Sequence, residues 1–196
     1  MKTGKTKELI LCAFFVALIA VGAFIRIPVP VVPFTLQFLF TMLAGLLLGG
    51  KLGAAAVGIY IIMGLLGLPI FAEGGGISYI FMPSFGYIIG FAVGAYVTGI
   101  IANKVPNPGY RRLLAANFLG LGIVYLFGMV YYYLISNFYL DSPIGLWPLF
   151  LYCFLLAVPG DIALCILGAI LGKRLIPVVN RETVPYASGR KQNRTW

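Results

Sequence analysis

Leu9-Ile-Leu-Cys-Ala-Phe-Phe-Val-Ala-Leu-Ile-Ala-Val-Gly-Ala-Phe-Ile25 carries no charged side chain over its whole length. A helix needs about 20 such residues to cross the hydrocarbon core of a membrane, and somewhat shorter runs still qualify. The same texture recurs at 34–50, 52–68, 83–102, 113–135 and 147–171, with polar, proline-rich or glycine-rich joints between the runs. A membrane barrel would alternate apolar with polar residues, and these runs do not alternate. Of the 196 residues, 61% are hydrophobic and only 10% charged, too few charges for the surface of a soluble domain. The reading is an all-α integral membrane protein in one domain, 1–176, with six transmembrane helices at 9–25, 34–50, 52–68, 83–102, 113–135 and 147–171. A basic tail at 177–196 is expected to be disordered.

Lys2, Lys5 and Lys7 precede the first run as they would in a signal peptide. Arg26 and three prolines follow it at once, and no small-residue cleavage site is convincing, so the run reads as a retained helix. Charge then orients the bundle. With the N-terminus inside, thirteen of the fourteen basic residues fall on inner segments, and only Arg26 lies outside, on the same side as Glu73 and Asp141. The positive-inside rule therefore puts the N- and C-termini in the cytoplasm of a protein of the cell membrane, and five or seven spans would scramble the split. The net charge of +9 is explained by topology, without a nucleic-acid partner. The first two outer segments, one proline-rich and one carrying Gly74-Gly75-Gly76, read as a lid over an outward-facing pocket, since irregular backbone at a membrane must be buried in protein or line a cavity.

The chemistry-bearing residues are few. Gly45-Leu-Leu-Leu-Gly-Gly-Lys51-Leu52 nearly matches a phosphate-binding loop, but Leu52 stands where a hydroxyl residue would hold magnesium and no strand precedes it. There is no histidine, which removes the commonest general base and metal ligand. Cys12, Cys153 and Cys165 all lie in apolar runs and read as reduced packing residues. Asp161, in Val158-Pro-Gly-Asp161-Ile-Ala-Leu164, is different. An acid well inside an apolar run costs several kcal/mol unless partnered, so it reads as functional. Its partner is either a ligand with N–H groups or a polar side chain such as Asn117 or Gln37. Those two amides read in turn as ligand contacts or as helix–helix bonds. Gly75 and Gly76 could present backbone N–H groups to an anion. Phe34, Tyr79, Tyr87, Tyr125 and Trp147 could wall a cavity or anchor span ends. Ala13 and Ala17, four apart on the first helix, allow close approach of another helix.

Pro30-Val-Val-Pro-Phe-Thr-Leu-Gln37, Gly67-Leu-Pro-Ile-Phe-Ala72 with the following glycines, Pro83-Ser-Phe-Gly-Tyr87 and Pro159-Gly-Asp161 together resemble the BioY family, in the right order and over about residues 8–176. That family is the biotin-specific S component of energy-coupling-factor (ECF) transporters. The resemblance implies a six-helix S-component bundle that binds biotin with high affinity from outside. It also implies partners: a transmembrane coupling subunit and two ATPase subunits. Ala13 and Ala17 match the family's docking face, and Asp161 matches the acid that contacts the ureido ring. One departure stands out. Leu164 lies where family members often carry lysine, so Asp161 needs another donor or stays protonated in the empty protein. Met82 before Pro83 is a lesser one.

The expected function is that of a biotin-capturing membrane subunit for vitamin uptake, not an enzyme. Biotin is its bound substrate, and no cofactor or metal is expected. Asp161 would accept from the ureido N–H groups, and Asn117 or a tyrosine would suit the carbonyl. Gln37, Phe34, Tyr79 and Tyr87 would line the pocket, and Gly75, Gly76 or Arg26 would receive the carboxylate tail. The alternative keeps the scaffold and exchanges the ligand for another vitamin or a biotin precursor. An intramembrane enzyme lacks a carboxylate pair and a metal constellation, and a self-contained secondary transporter lacks evident internal repeats.

Overall fold

The computed structural model describes residues 3–27, 34–140 and 142–183. Helix α1 (Thr3–Phe24) leads into a short antiparallel pair, β1 (Arg26–Ile27) and β2 (Phe34–Thr35), with Arg26 opposite Thr35 and Ile27 opposite Phe34. Then come α2 (Gln37–Leu48), α3 (Gly50–Leu65), a 3-10 turn (Ile77–Phe81), α4 (Phe85–Ala102) and α5 (Tyr110–Phe138). Short α6 (Leu146–Phe150) passes through a π turn (Leu151–Leu155) into α7 (Val158–Thr183). Pro30 to Pro33, Asp141 and the tail from 184 onward lie outside the described residues. The last helix continues beyond the expected end at 171, through Pro177 to Thr183, into part of what reads as tail.

The expected spans are met unevenly. Four stretches, 6–24, 85–102, 110–138 and 146–179, are long and apolar enough to cross a membrane. Helices α2 and α3 are shorter, at 12 and 16 residues. At 1.5 Å per residue they reach roughly 18 and 24 Å, against a core of about 30 Å. The sequence suggested longer runs at 34–50 and 52–68 because the residues flanking both helices are equally apolar. Here those flanks fold into β2 and the segment 66–84 instead.

Small residues hold the helices together. Only Gly49, at φ 83°, separates α2 from α3, a left-handed backbone that suits glycine. A Cβ at Gly99 would stand 2.3 Å from the Gly50 amide nitrogen and 2.6 Å from the Gly45 carbonyl. Helices α2, α3 and α4 therefore touch backbone to backbone. On α4, Gly86, Gly90 and Gly94 lie one turn apart and face Tyr131, Val124 and Gly120 of α5. Lipid offers apolar surface as good as another helix does, so membrane helices associate through such close packing and through hydrogen bonds. Thr98 donates to the Ala116 carbonyl at 3.1 Å, and Asn103 to the Leu46 carbonyl at 3.2 Å.

The two ends of the bundle differ. At one, Lys173 reaches Asn107 Oδ1 at 2.7 Å and the Pro108 carbonyl at 3.1 Å, close to Lys104, Arg111 and Arg112 in sequence. At the other, β1, β2 and the segment 66–84 form a cap, and Tyr131 of α5 donates to the Ile80 carbonyl. The cap has its own core: Phe71, 1% exposed, lies against the Gly64 backbone between Tyr60 and Tyr79, with ring centroids at 5.3 and 4.5 Å.

The glycine seam can be tested by paired substitutions. Gly99→Ala places a methyl group against backbone and should cost about 1–3 kcal/mol. Gly58→Ala enters open space on a helix and should be neutral or stabilising by up to about 1 kcal/mol. Thermal unfolding midpoints in detergent should fall for the first and hold or rise for the second.

Candidate functional site

Beneath the cap lies a cavity enclosing roughly 700 Å³ not filled by protein atoms, part of it open to the exterior. Its walls come from β2, α2, the cap, α4, α5 and the α6–α7 segment, so residues distant in sequence converge on it.

Asp161 lines the deep part. It is 9% exposed, and it precedes Lys173 by twelve residues, about 18 Å along α7. The Tyr125 hydroxyl donates to Asp161 Oδ2 at 2.5 Å. Leu164, one turn after Asp161, is buried and offers no donor. Tyr125, from a different helix, supplies the donor that the leucine cannot. Gly160 serves the same place. A Cβ there would lie 2.7 Å from the Phe34 ring, so the glycine lets the cap residue Phe34 sit directly on α7 beside Asp161.

The backbone near Asp161 is irregular for a reason. Pro159 has no N–H to give to the preceding turn. Leu156 N–H donates to Leu151, and Ala157 N–H donates to Phe154 rather than to Cys153. Tyr87 Oη, on α4, then donates to the Cys153 carbonyl at 3.3 Å. In a membrane an unsatisfied carbonyl costs several kcal/mol, so Tyr87 and the π turn depend on each other.

Nearer the mouth, Tyr79 shares a hydrogen bond with Ser84 at 3.2 Å, and Ser84 Oγ donates to Glu73 Oε2 at 3.3 Å. Burial pushes the Tyr79 hydroxyl above its ordinary pKa, so it stays protonated and able to donate. Gln37, 3% exposed, lines the cavity with its Nε2 buried and unpartnered among the described residues.

The structure thus brings together Phe34, Gln37, Tyr79, Tyr87 and Asp161. Asn117, Gly75, Gly76 and Trp147 lie elsewhere. Asn117 is fully buried deeper in the bundle and donates to the Cys165 carbonyl at 2.9 Å, joining α5 to α7. Gly75 and Gly76 shape the cap. A Cβ at Gly75 would lie 2.1 Å from the Leu68 carbonyl, and Gly76 N–H donates to the Gly64 carbonyl at 2.7 Å. Gly74 N–H is taken by the Phe71 carbonyl, so the Gly76 amide expected to meet an anion, and that of Gly74 beside it, hold the cap's own fold. Trp147 is 70% exposed and away from the lining. Ala13 and Ala17 are exposed on α1, whereas Cys12, Phe15, Val16 and Ile19 face the core. Sequence reasoning did not single out Ser84, Tyr152, Phe38 or Phe91, all of which line the cavity. Only a known helix register would have revealed them. Among the described residues no group of three or more histidine, cysteine or acidic side chains could hold a metal.

The signature of the BioY family matches residues 1–181. The chain belongs to the BioY family. A probable biotin transporter BioY of Lysinibacillus sphaericus is 44% identical over 178 residues, 91% of each chain. The biotin transporter BioY of Thermotoga maritima is 42% identical over 137 residues, 69% of this chain and 78% of that one. Among solved structures, the S-component for biotin from an ECF-type ABC transporter superposes with a TM-score of 0.74 at 29% identity, covering 89% of this chain and 94% of that one. The BioY relatives are named as transporters, in keeping with a membrane protein that is not an enzyme.

Two substitutions separate the roles of the polar side chains in the empty protein. Tyr87→Phe strands the Cys153 carbonyl and should lower the unfolding midpoint, at a cost of about 1–3 kcal/mol. Gln37→Leu removes a buried donor that has no partner and should leave the midpoint unchanged or raise it. Both are read by thermal unfolding without ligand.

Proposed function

We propose that this protein is the high-affinity biotin-binding membrane subunit of an ECF-type vitamin uptake system. The observation that carries the proposal is Asp161, held by Tyr125 at the floor of a capped cavity in a BioY-family chain. Biotin's ureido ring offers two N–H donors and a carbonyl. The Asp161 carboxylate accepts from the N–H side, and the unpartnered Gln37 amide donates to the carbonyl. Phe34, Phe38 and Phe91 receive the apolar bicycle. Biotin is substrate, and no cofactor takes part.

In this reading α1, α2, α3, α4, α5 and the α6–α7 segment each cross the bilayer, with the cap outside and both termini in the cytoplasm. The basic end around Lys173 supports that orientation, as does the cap that completes the short helices α2 and α3 in protein rather than lipid. Biotin is captured from outside. Release inward is driven by partners, a coupling membrane subunit and two ATPases, with the exposed Ala13 and Ala17 as the docking face on α1. The Leu164 departure bears on an alternative ligand, another vitamin or a precursor on the same scaffold. Tyr125 answers it by supplying the donor, which keeps the ureido ring as the best fit.

Calorimetry with biotin on detergent-purified protein tests this reading. The unmodified protein should bind tightly. Asp161→Asn removes a charge-assisted acceptor and should weaken binding about 10- to 100-fold. Gly58→Ala, outside the cavity and facing open space, should change affinity by less than about threefold. Absence of biotin binding by folded, unmodified protein would overturn the assignment and direct a screen of other vitamins.

A further inference from the structure

We infer that Arg26 is the specificity residue for a carboxylate on the ligand, received at the cavity mouth. The inference rests on the biotin reading and extends it from the ring to the tail.

Arg26 is the only basic residue of the chain between Lys7 and Lys51, and it lies at the cap end, away from the basic end of the bundle. Two bonds place it at the mouth. Its backbone pairs with Thr35, which lines the cavity. Its Nη1 donates at 2.7 Å to the carbonyl of Ala72, which lines the cavity from the other cap segment. Its charge is near enough to act on the Tyr79 hydroxyl. Among the described residues no carboxylate forms an ion pair with it, and Glu73 is engaged by Ser84 instead. A guanidinium has five N–H donors, so one bond to a carbonyl leaves a fork free for a planar anion.

Depth agrees. On α5, Tyr131 meets the cap at Ile80, and Tyr125 meets Asp161 six residues nearer the basic end. That sets the cap, to which Arg26 belongs, about 9 Å along the helix from the level of Asp161, room for a bicyclic ring on the floor with a short alkyl acid reaching upward. Of the competing amides in the cap, those of Gly74 and Gly76 serve its own fold.

The test compares biotin with biotin methyl ester on unmodified protein and on Arg26→Gln, by calorimetry. The ester keeps the ring and the chain and removes only the charge. Unmodified protein should prefer the acid by about tenfold or more, as charge-assisted bonds allow. Arg26→Gln should reduce that preference to about twofold or less, with ester affinity changed by less than about threefold. A preference that is equal in both proteins would overturn the inference, and so would an equal loss for both ligands, which marks Arg26 as a cap latch alone. If neither ligand binds the unmodified folded protein, both the functional reading and this extension fail, a result distinct from any change in the ratio.

Discussion

A carboxylate set within an apolar bundle must be given donors, and much of the cavity's architecture follows from how Asp161 obtains them. Tyr125 provides one from α5 at 2.5 Å. That bond requires α5 and α7 to lie at a fixed height and rotation, and Asn117, bonded to the Cys165 carbonyl deeper in the bundle, pins the same two helices. Asp161 is also reachable because Pro159 and the π turn break the regular helix just above it, and Gly160 leaves room for Phe34 to come down from the cap. A buried acid with one internal donor and one open side is poised for a ligand that brings N–H groups.

The glycine contacts give that chamber its walls. Where Gly45, Gly50 and Gly99 bring α2, α3 and α4 into backbone contact, the helices are too close for any side chain to stand between them. The seam of Gly86, Gly90 and Gly94 does the same between α4 and α5, and Gly128 accommodates the Tyr87 ring. Close packing in these seams leaves the cap end as the side where space remains. The cap then covers it through a small aromatic core of Tyr60, Phe71 and Tyr79. Rigid helices below and an irregular cap above suit a site that must admit a solute and then surround it.

The sequence was most readable where the physics is one-dimensional. Apolar run length announced a membrane protein, charge asymmetry separated a basic end from the other, and the solvation cost of a lone acid marked Asp161. The limits have equally physical causes. Tyr125 and Asp161 are 36 residues apart, and nothing local tells which face of α5 meets α7. Gly75 and Gly76 suggested an anion site because glycine amides are accessible in isolation. In the cap the Gly76 amide is taken by the Gly64 carbonyl, and Gly75 is there because the Leu68 carbonyl stands where a side chain would begin. Asn117 offered the same polar atoms as Gln37, yet one joins helices and the other faces the cavity, a distinction of depth and rotation alone. The shortness of α2 and α3 was hidden because apolar residues fill their flanks as well, and hydropathy does not separate buried cap from membrane helix.

The most direct test of the account is a crystal structure of the protein with biotin bound. The account places the ureido ring within hydrogen-bond distance of Asp161, with Tyr125 still on the same carboxylate and the tail directed toward the cap. Biotin lodged elsewhere, such as the apolar groove between α5 and α6, or a ring turned away from Asp161, would contradict it.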